Sequence, residues 1–373
     1  MKFKKKAIVC VSNDLVTDNR VAKTCQVLKD LNYSVYLVGR RKEDSPKMNH
    51  RTYKYRRLKL SFEKGALFYM NLNMRLFLFL IFRKSDLIYS NDLDTLLPCY
   101  LVSKIKKTRL IYDTHELFTE VAELKNRSFI RNIWLTIEKN IFPKLQTVIT
   151  VNDSIAEIYN KKYGVEVTSI RNVPALLNND QDIQTRISLD IAKDTFILII
   201  QGSGLNKDRG IEEAILAMTA CSDCVLLLVG DGDIIPSAKN IVRSHQLESK
   251  VKFISRRPYV ELMKITRLAD LGLLLDKNTN LNHELALPNK LFDYIHASTP
   301  ILSSRLKEIS IIIEKHNIGI FIEKIEPNTI AAAIMGYKKD LTLINKHREN
   351  CQTASKTENW QVEKEKLIQL LVN

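Results

Sequence analysis

Two groups of residues in this sequence have the types and spacing to do chemistry. The first is glycine-rich and cationic: Gln201-Gly202-Ser203-Gly204, then Asn206-Lys207-Asp208-Arg209-Gly210, then Gly230-Asp231-Gly232-Asp233, and later Leu287-Pro288-Asn289-Lys290-Leu291-Phe292-Asp293. Glycine turns that run into helices let backbone N–H groups reach phosphate oxygens, and the helix dipole adds to the attraction. Arg209 as a planar fork and Lys290 as a point charge would neutralise a diphosphate. The second group holds acids, amides and a histidine: Asn13, Asp14 and Arg20, then Asp92 and Asp94, then His115 and Glu116. A donor that leaves as a diphosphate on the first group, and an acceptor on the second, is an arrangement for group transfer. Plainer readings stand beside these. Asp92 and Asp94 would serve as helix N-caps, His115 as a satisfied histidine at a strand end, and Asn13, Asp14 and Arg20 as braces of a first turn. Asp293 would be a solvated helix residue, and a glycine after a strand often marks only a turn.

These residues follow short apolar runs, which is where an open parallel sheet places its ligands. In the first half the runs are 7–11, 34–38, 86–89, 109–112 and 147–151, and in the second 195–200, 225–229, 251–254, 271–275, 300–302 and 318–322. Helical patterns separate them. Continuous apolar strands bounded by polar turns predict parallel sheets buried on both faces. Each half is therefore expected to be a doubly wound α/β domain. Residues 171–194 are polar, rich in Asn and Asp, contain Pro174, and read as the linker. Residues 357–371 read as a terminal amphipathic helix.

The chain has 373 residues, enough for two domains, with 45% hydrophobic and 27% charged residues, the mix of a folded globular protein. A net charge of +15 predicts an anionic partner. No aromatic-plus-basic module or reading helix supports nucleic acid as that partner. Six cysteines do not make a disulfide framework, and Cys221 and Cys224 read as small residues before a strand rather than as a metal or redox pair. The basic start MKFKKK is followed by an apolar run too short for a signal peptide, so a reducing cytoplasm is expected. Residues 66–82, ALFYMNLNMRLFLFLIF, fall short of the roughly 20 that span a bilayer and are interrupted by Asn71, Asn73 and Arg75. They read as a buried helix, or as an amphipathic one whose outer face meets lipid. Arg56, Arg57, Lys59, Lys64, Arg83 and Lys84 flank it, and Lys2, Lys4, Lys5, Lys6, Arg51 and Lys54 add to the basic surface.

In order along the chain, SNDLVTDNRVAKTCQVLKDLNYSVYLVGR, SNDLDTLLP, YDTHELF, TVITVNDSIAE, RNVP, QGSGLNKDRGIEEAI, VGDGD and LPNKLFDYIHASTPIL resemble the family 4 glycosyltransferases of the bacterial surface-polysaccharide type. The resemblance implies an α/β GT-B fold, with two Rossmann-like domains facing across a cleft. An acceptor-binding domain would span 1–175, a nucleotide-sugar donor-binding domain 176–345, and a helical segment 346–373 would pack back on the first. It implies retaining transfer of a hexose from a nucleoside-diphosphate sugar to a glycan or lipid-linked glycan, with no metal and no cofactor. His115 would touch the donor sugar, and Arg209 and Lys290 the diphosphate. Asp293 would hold the ribose hydroxyls, and Gly202, Gly204, Gly230, Asn289 and Leu291 would complete the donor wall. Asn13, Asp14, Arg20, Asp92 and Glu116 are the acceptor-side candidates. The sequence departs from the family pattern in three places. Leu285, beside Glu284, stands where the family has a first Glu; Gly204 stands where it has an Arg; Asn13-Asp14 replaces a Gly-Gly loop. Lys290 is expected to supply the missing cation. A nucleotide-sugar epimerase or hydrolase of the same architecture is the rival reading. The expected place of work is the cytoplasm, at the inner face of the membrane.

Overall fold

The computed structural model describes residues 4–16, 18–43, 45–48, 50–121, 124, 127–176 and 186–372. Lys2 of the basic start, and residues 177–185 of the expected linker, lie outside the described residues. The chain forms two units: Met1–Asn172 together with Glu363–Asn373, and Val173–Val362.

The first unit is built on a parallel sheet of strands β1 (Lys6–Asp14), β2 (Ser34–Arg41), β3 (Lys54–Lys59), β4 (Leu87–Asn91), β5 (Arg109–Thr114), β6 (Val148–Thr150) and β7 (Val167–Ser169), ordered β3-β2-β1-β4-β5-β6-β7. The chain winds outward from β1 to one side, returns, and winds outward from β4 to the other. The switch point therefore lies between β1 and β4, where Val9 is in register with Leu37 on one side and Tyr89 on the other. The apolar runs of the sequence become β1, β2, β4, β5 and β6. The edge strands β3 and β7 were not visible as runs. β3 reads KYRRLK and buries only Leu58, and β7 is three residues long. A charged edge strand is one way a sheet avoids pairing with another chain.

Helix α1 (Asn19–Asp30) is capped by Asp18, whose carboxylate accepts the Val21 N–H at 3.0 Å. Helix α2 (Gly65–Ile81) is the apolar stretch noted above. Phe68, Leu72, Leu76, Phe79 and Leu80 are buried against Ile8, Val38 and Ile88 of the sheet. Leu67, Met70, Met74, Leu78 and Phe82 lie exposed on the opposite side, at spacings of three and four residues. Among the described residues no helix is long and apolar enough to cross a membrane. Helix α3 (Leu93–Lys106) follows β4.

The second unit carries strands β8 (Phe196–Gly202), β9 (Cys224–Gly230), β10 (Val251–Ile254), β11 (Leu271–Leu274), β12 (Ile301–Ser304) and β13 (Gly319–Ile322), parallel and ordered β10-β9-β8-β11-β12-β13. Its switch point falls between β8 and β11. Alternate residues of β8 and β9 feed the cores on the two faces: Leu198, Ile200, Leu226 and Leu228 on one, Ile197, Ile199, Val225 and Leu227 on the other. Cys221 and Cys224 are buried and unbridged at the start of β9. The helix Trp360–Val372 begins in this unit, and its residues from Glu363 belong to the first. There Arg171 donates its Nε to the buried Glu363 carboxylate at 2.8 Å, and Arg109 donates to the carbonyls of Leu370 and Leu371 at 2.7 and 3.0 Å.

Candidate functional site

In each unit the candidate residues gather at the carboxyl edge of the sheet around its switch point.

In the second unit the centre is Asp276, which follows β11. Its buried carboxylate takes Arg209 Nη1 at 2.8 Å on Oδ1 and Lys290 Nζ at 3.3 Å on Oδ2. Burial opposes ionisation of Asp276, but the two cations overcome it and hold the carboxyl below its ordinary range. Burial pushes the Lys290 ammonium down, Asp276 opposes that, and Arg209 adds to it. Two cations brought 67 and 14 residues along the chain to one carboxylate form a site that would accept further negative charge. The sequence shows Asp276 only as a residue after a strand. Its part as the anchor of both cations needs the fold.

The glycines divide into two kinds. Gly230 has φ +135°, and a Cβ there would lie 1.8 Å from the Gly202 carbonyl oxygen. Gly230 is thus required by the β8–β9 contact itself. At Gly202 and Gly204 the nearest atoms to a Cβ would be 3.7 and 3.5 Å away, so the chain's own packing leaves room for a side chain. Gly210 caps a helix of only seven residues, Ile211–Ala217.

Asn289 is exposed at the start of the helix Asn289–His296, with Lys290 next to it. Two expectations along this helix change. Leu291 is fully buried in the core beside Ile197 and Tyr294, so its side chain serves packing and not a ligand. Asp293 is also buried. Its Oδ1 accepts the Tyr259 hydroxyl at 2.9 Å and its Oδ2 the Gln201 amide at 3.0 Å, while Gln201 in turn accepts from Thr266 at 2.6 Å. It is no solvated helix residue. Glu284 ends the short helix Leu281–Glu284, half-buried, and Leu285 beside it is buried.

In the first unit β5 ends in Asp113 and Thr114, and His115 follows it. Arg20 of α1 grips Asp113 with Nε at 3.0 Å and Nη2 at 2.7 Å, and its Nη1 donates to the Ile170 carbonyl at 2.7 Å. Arg20 is only 7% exposed, so it braces Asp113 where the sequence suggested an acceptor contact. Burial would raise the Asp113 carboxyl, but the charges of Arg20 and His115 hold it far below its ordinary range. Asp14 is likewise committed. It accepts from Ser45 and from the Val16 N–H, and pairs with Arg57 at 2.6 Å, which ties the end of β1 to β3. Asn13 and Glu116 are exposed at the same edge.

Asp92 occupies the N-cap position of α3 but makes no side-chain cap bond. Its φ of 59° and ψ of 164° fall in a region nearly reserved for glycine, which costs about 1–3 kcal/mol. Two groups hold it there. Its N–H donates to the Asp113 carbonyl at 2.8 Å, and its Oδ1 accepts the His115 N–H at 2.9 Å. Its Oδ2 lies 3.1 Å from His115 Nδ1, and His115 Nε2 is 3.7 Å from Asp113. Burial would lower the imidazole, but the carboxylates of Asp92 and Asp113 outweigh it and hold His115 well above the ordinary histidine range. Two residues later, Asp94 is buried and pushed up to about 7 by burial first and by the Asp92 charge second. The sequence reading gave Asp94 a capping role. What marks it out is its environment, which the pattern alone does not carry.

Residues 18–175 match the model of Glycosyltransferase Family 4, and residues 183–358 match that of Glycosyl transferases group 1. Among the curated proteins none matches the chain. Several solved structures share its fold. A sucrose-phosphate synthase from Thermosynechococcus elongatus has a TM-score of 0.74 at 16% identity, covering 99% of this chain and 98% of that one. Anabaena HepE, solved in complex with UDP, has a TM-score of 0.75 at 16% identity, covering 99% of each chain. A glycosyltransferase from Rickettsia africae has a TM-score of 0.75 at 12% identity and full coverage of both.

Proposed function

This chain belongs to the family 4-like glycosyltransferases of GT-B fold, and on that premise we propose that it is a retaining hexosyltransferase. It takes a sugar from a nucleoside-diphosphate sugar and passes it to a glycan or lipid-linked glycan, with no metal taking part. The observation that carries this reading is the convergence of Arg209 and Lys290 on Asp276 at the switch point of the second sheet. HepE, of the same fold, has been solved with UDP-glucose, and a uridine-diphosphate sugar is the donor we infer here.

Retention needs no enzyme nucleophile when the acceptor hydroxyl attacks from the leaving group's own face. The bond from the anomeric carbon to the diphosphate oxygen breaks, and the bond to the acceptor oxygen forms. The hydroxyl proton passes to the departing oxygen. The protein's task is to stabilise the charge that grows on the diphosphate, and each well-placed donor contributes several kcal/mol, roughly 3–4. Arg209 and Lys290 do this. Asp276 keeps both cations at one point while leaving net positive charge for the diphosphate. Gly202 and Gly204, which packing does not require, let the backbone come close to the phosphates. Asp293 completes the nucleotide side through the Gln201–Tyr259 network, and His115 serves the reacting sugar.

Incubation with UDP-glucose, alone and with a soluble sugar acceptor, tests the reading. Acceptor-dependent release of UDP with the α-configuration kept in the product is the expected result. UDP release or an altered sugar without any acceptor would instead establish the hydrolase or epimerase.

We also place the enzyme at the inner face of the cytoplasmic membrane. The exposed stripe of α2 and the exposed basic residues Arg56, Lys59, Lys64 and Lys84 of the same unit are the features that support this.

A further inference from the structure

The first unit holds a second concentration of charge, at the edge of its sheet opposite His115. A cavity of about 470 Å³ opens there, at the amino ends of β5 and β6. Four cations line it: Lys104 and Lys107 at the end of α3, Arg109 at the start of β5, and Lys144 in the turn before β6. The other lining residues are uncharged. Strand β5 is six residues long, so about 17 Å, at roughly 3.3 Å per residue, separates Arg109 from the candidate residues at its other end.

None of the four cations meets a carboxylate among the described residues. Arg109 gives Nη1 and Nη2 to the Leu371 and Leu370 carbonyls, at 3.0 and 2.7 Å, which accept hydrogen bonds but carry no net charge. Lys104 Nζ lies over the Tyr100 ring at 5.4 Å, on the cavity wall. Lys107 and Lys144 are exposed. Lys106 differs from its neighbours: it is spent on the Leu80 and Arg83 carbonyls and does not line the cavity. Cations at the end of a helix offset its dipole, but that amounts to about half a charge, and four are present. Lys107 moreover has φ 54°, in the left-handed region where a helix end commonly places glycine. The adjoining cavity of about 670 Å³ shares Arg109 and Gln146 but adds Lys366 and Glu166, so it holds both signs of charge.

We propose that the cavity at Lys104, Lys107, Arg109 and Lys144 is a binding site for a phosphate group, carried by a small molecule or by a lipid headgroup. The sign of the charge selects an anion, and the number of cations selects a multiply charged one. A carboxylate brings one charge and two oxygens, whereas a phosphate brings up to about two charges and three strong acceptor oxygens. The lysines meet it as point charges, and Arg109 keeps N–H groups beyond the two given to the carbonyls. The cavity is larger than one phosphate, which leaves room for a second phosphoryl group or an esterified alcohol. The site exists whatever reaction the carboxyl edges of the sheets carry out.

Calorimetric titration of the full chain with sodium pyrophosphate, in saturating UDP, reads the site in solution. UDP keeps pyrophosphate from Arg209 and Lys290, and any binding left there is common to wild type and variants. Lys104→Gln with Lys107→Gln and Lys144→Gln removes three exposed charges and should leave the fold intact. It should weaken pyrophosphate binding at least tenfold. Lys161→Gln with Lys239→Gln and Lys346→Gln removes as much exposed charge elsewhere and should leave the affinity unchanged. Sedimentation of the same proteins with phosphatidylglycerol vesicles is the second arm. A loss confined to pyrophosphate identifies a free phosphate as the ligand, and a loss confined to vesicles identifies a lipid headgroup. Loss of both supports the site for either source. Failure of the wild type to bind either probe overturns the proposal, as does a cavity variant that binds both probes like the control variant.

Discussion

Asp92 holds His115 twice: one carboxylate oxygen accepts its backbone N–H at 2.9 Å and the other stands 3.1 Å from its ring Nδ1. The contact fixes the ring and favours its protonated form. Because the folded imidazole is raised above its ordinary 6.5, the stability it contributes is complete below that value and is lost as pH rises through the higher folded one. Asp92→Asn keeps the shape of the side chain and removes the charge. The stability difference between wild type and variant should be largest near pH 6 and shrink toward alkaline pH, read from unfolding midpoints across that range. A difference that stays flat with pH would mean that Asp92 does not support an imidazolium.

Arg209→Ala and Lys290→Ala should each reduce turnover about 100- to 1000-fold, the usual loss for one transition-state donor. Each single variant leaves Asp276 one cation and should stay folded. The double variant strands a buried carboxylate, a defect that costs about 3–5 kcal/mol. Turnover numbers and unfolding midpoints measured on all three variants check both halves. Near-normal turnover in both single variants would remove the diphosphate assignment.

The glycines give a contrast between packing and ligand approach. Gly230→Ala drives a methyl to within 1.8 Å of the Gly202 carbonyl oxygen and should destabilise the fold by at least the roughly 1–3 kcal/mol of an overpacked site. Gly204→Ala meets nothing closer than 3.5 Å and should unfold like the wild type. Its UDP affinity should nevertheless fall by about tenfold, or about 1.4 kcal/mol. Titration calorimetry with UDP reads this directly, and unchanged affinity would show that the ligand does not come close to this turn.

Asp293 is held by Tyr259 and Gln201, and its proposed part at the nucleotide can be separated from that packing role by substitution. Its replacement by Ala leaves the Tyr259 hydroxyl and the Gln201 amide without their acceptor. Loss of a buried partner of this kind costs about 1–3 kcal/mol of stability. Weaker UDP binding should accompany that loss. Asp293→Asn restores an acceptor on one side only and should recover stability in part, while UDP affinity stays low. Full recovery of UDP affinity in the Asn variant would assign Asp293 to the network alone.

Much of the architecture was legible because buried parallel strands are continuous apolar runs, a pattern that β1, β2, β4 to β6, β8, β9, β11 and β12 follow, while the edge strands β10 and β13 bury one residue each but stay apolar enough to be seen. β3 escaped it because its exposed residues are mostly charged, and β7 because it is only three residues long. The candidate site residues fall at the carboxyl edges of both sheets, since they were read from the segments that follow the strands. It could not show which side chains are spent on the protein itself. Arg20 and Asp113 are 93 residues apart, Arg57 and Asp14 are 43, and Arg209 and Asp276 are 67. Pairings of that range depend on strand order. The strain at Asp92 and the burial of the Asp94 carboxyl are likewise properties of place, which two residues that look like ordinary caps in the sequence do not reveal.

The exposed face of α2 gives the last prediction. Its inner face is core, so the helix cannot be an anchor that leaves the protein. Its outer face shows Met70 at 68%, Met74 at 61% and, just past its end, Phe82 at 81% exposure. Lys54, Arg56, Lys59, Lys64 and Lys84 are exposed in the same part of the unit, whereas Arg57 is committed to Asp14 and is no part of a free basic surface. Each basic side chain near an anionic bilayer contributes about 1 kcal/mol, and the apolar stripe adds its own burial. Binding should therefore be reversible and weakened by salt. Sedimentation with phosphatidylglycerol vesicles at low and high salt is the measurement. Met70→Glu with Met74→Glu places two charges on an exposed face, so the fold should persist while vesicle binding is lost. Absence of wild-type binding at low salt, together with full activity on a water-soluble acceptor, would leave the stripe without a role at the membrane.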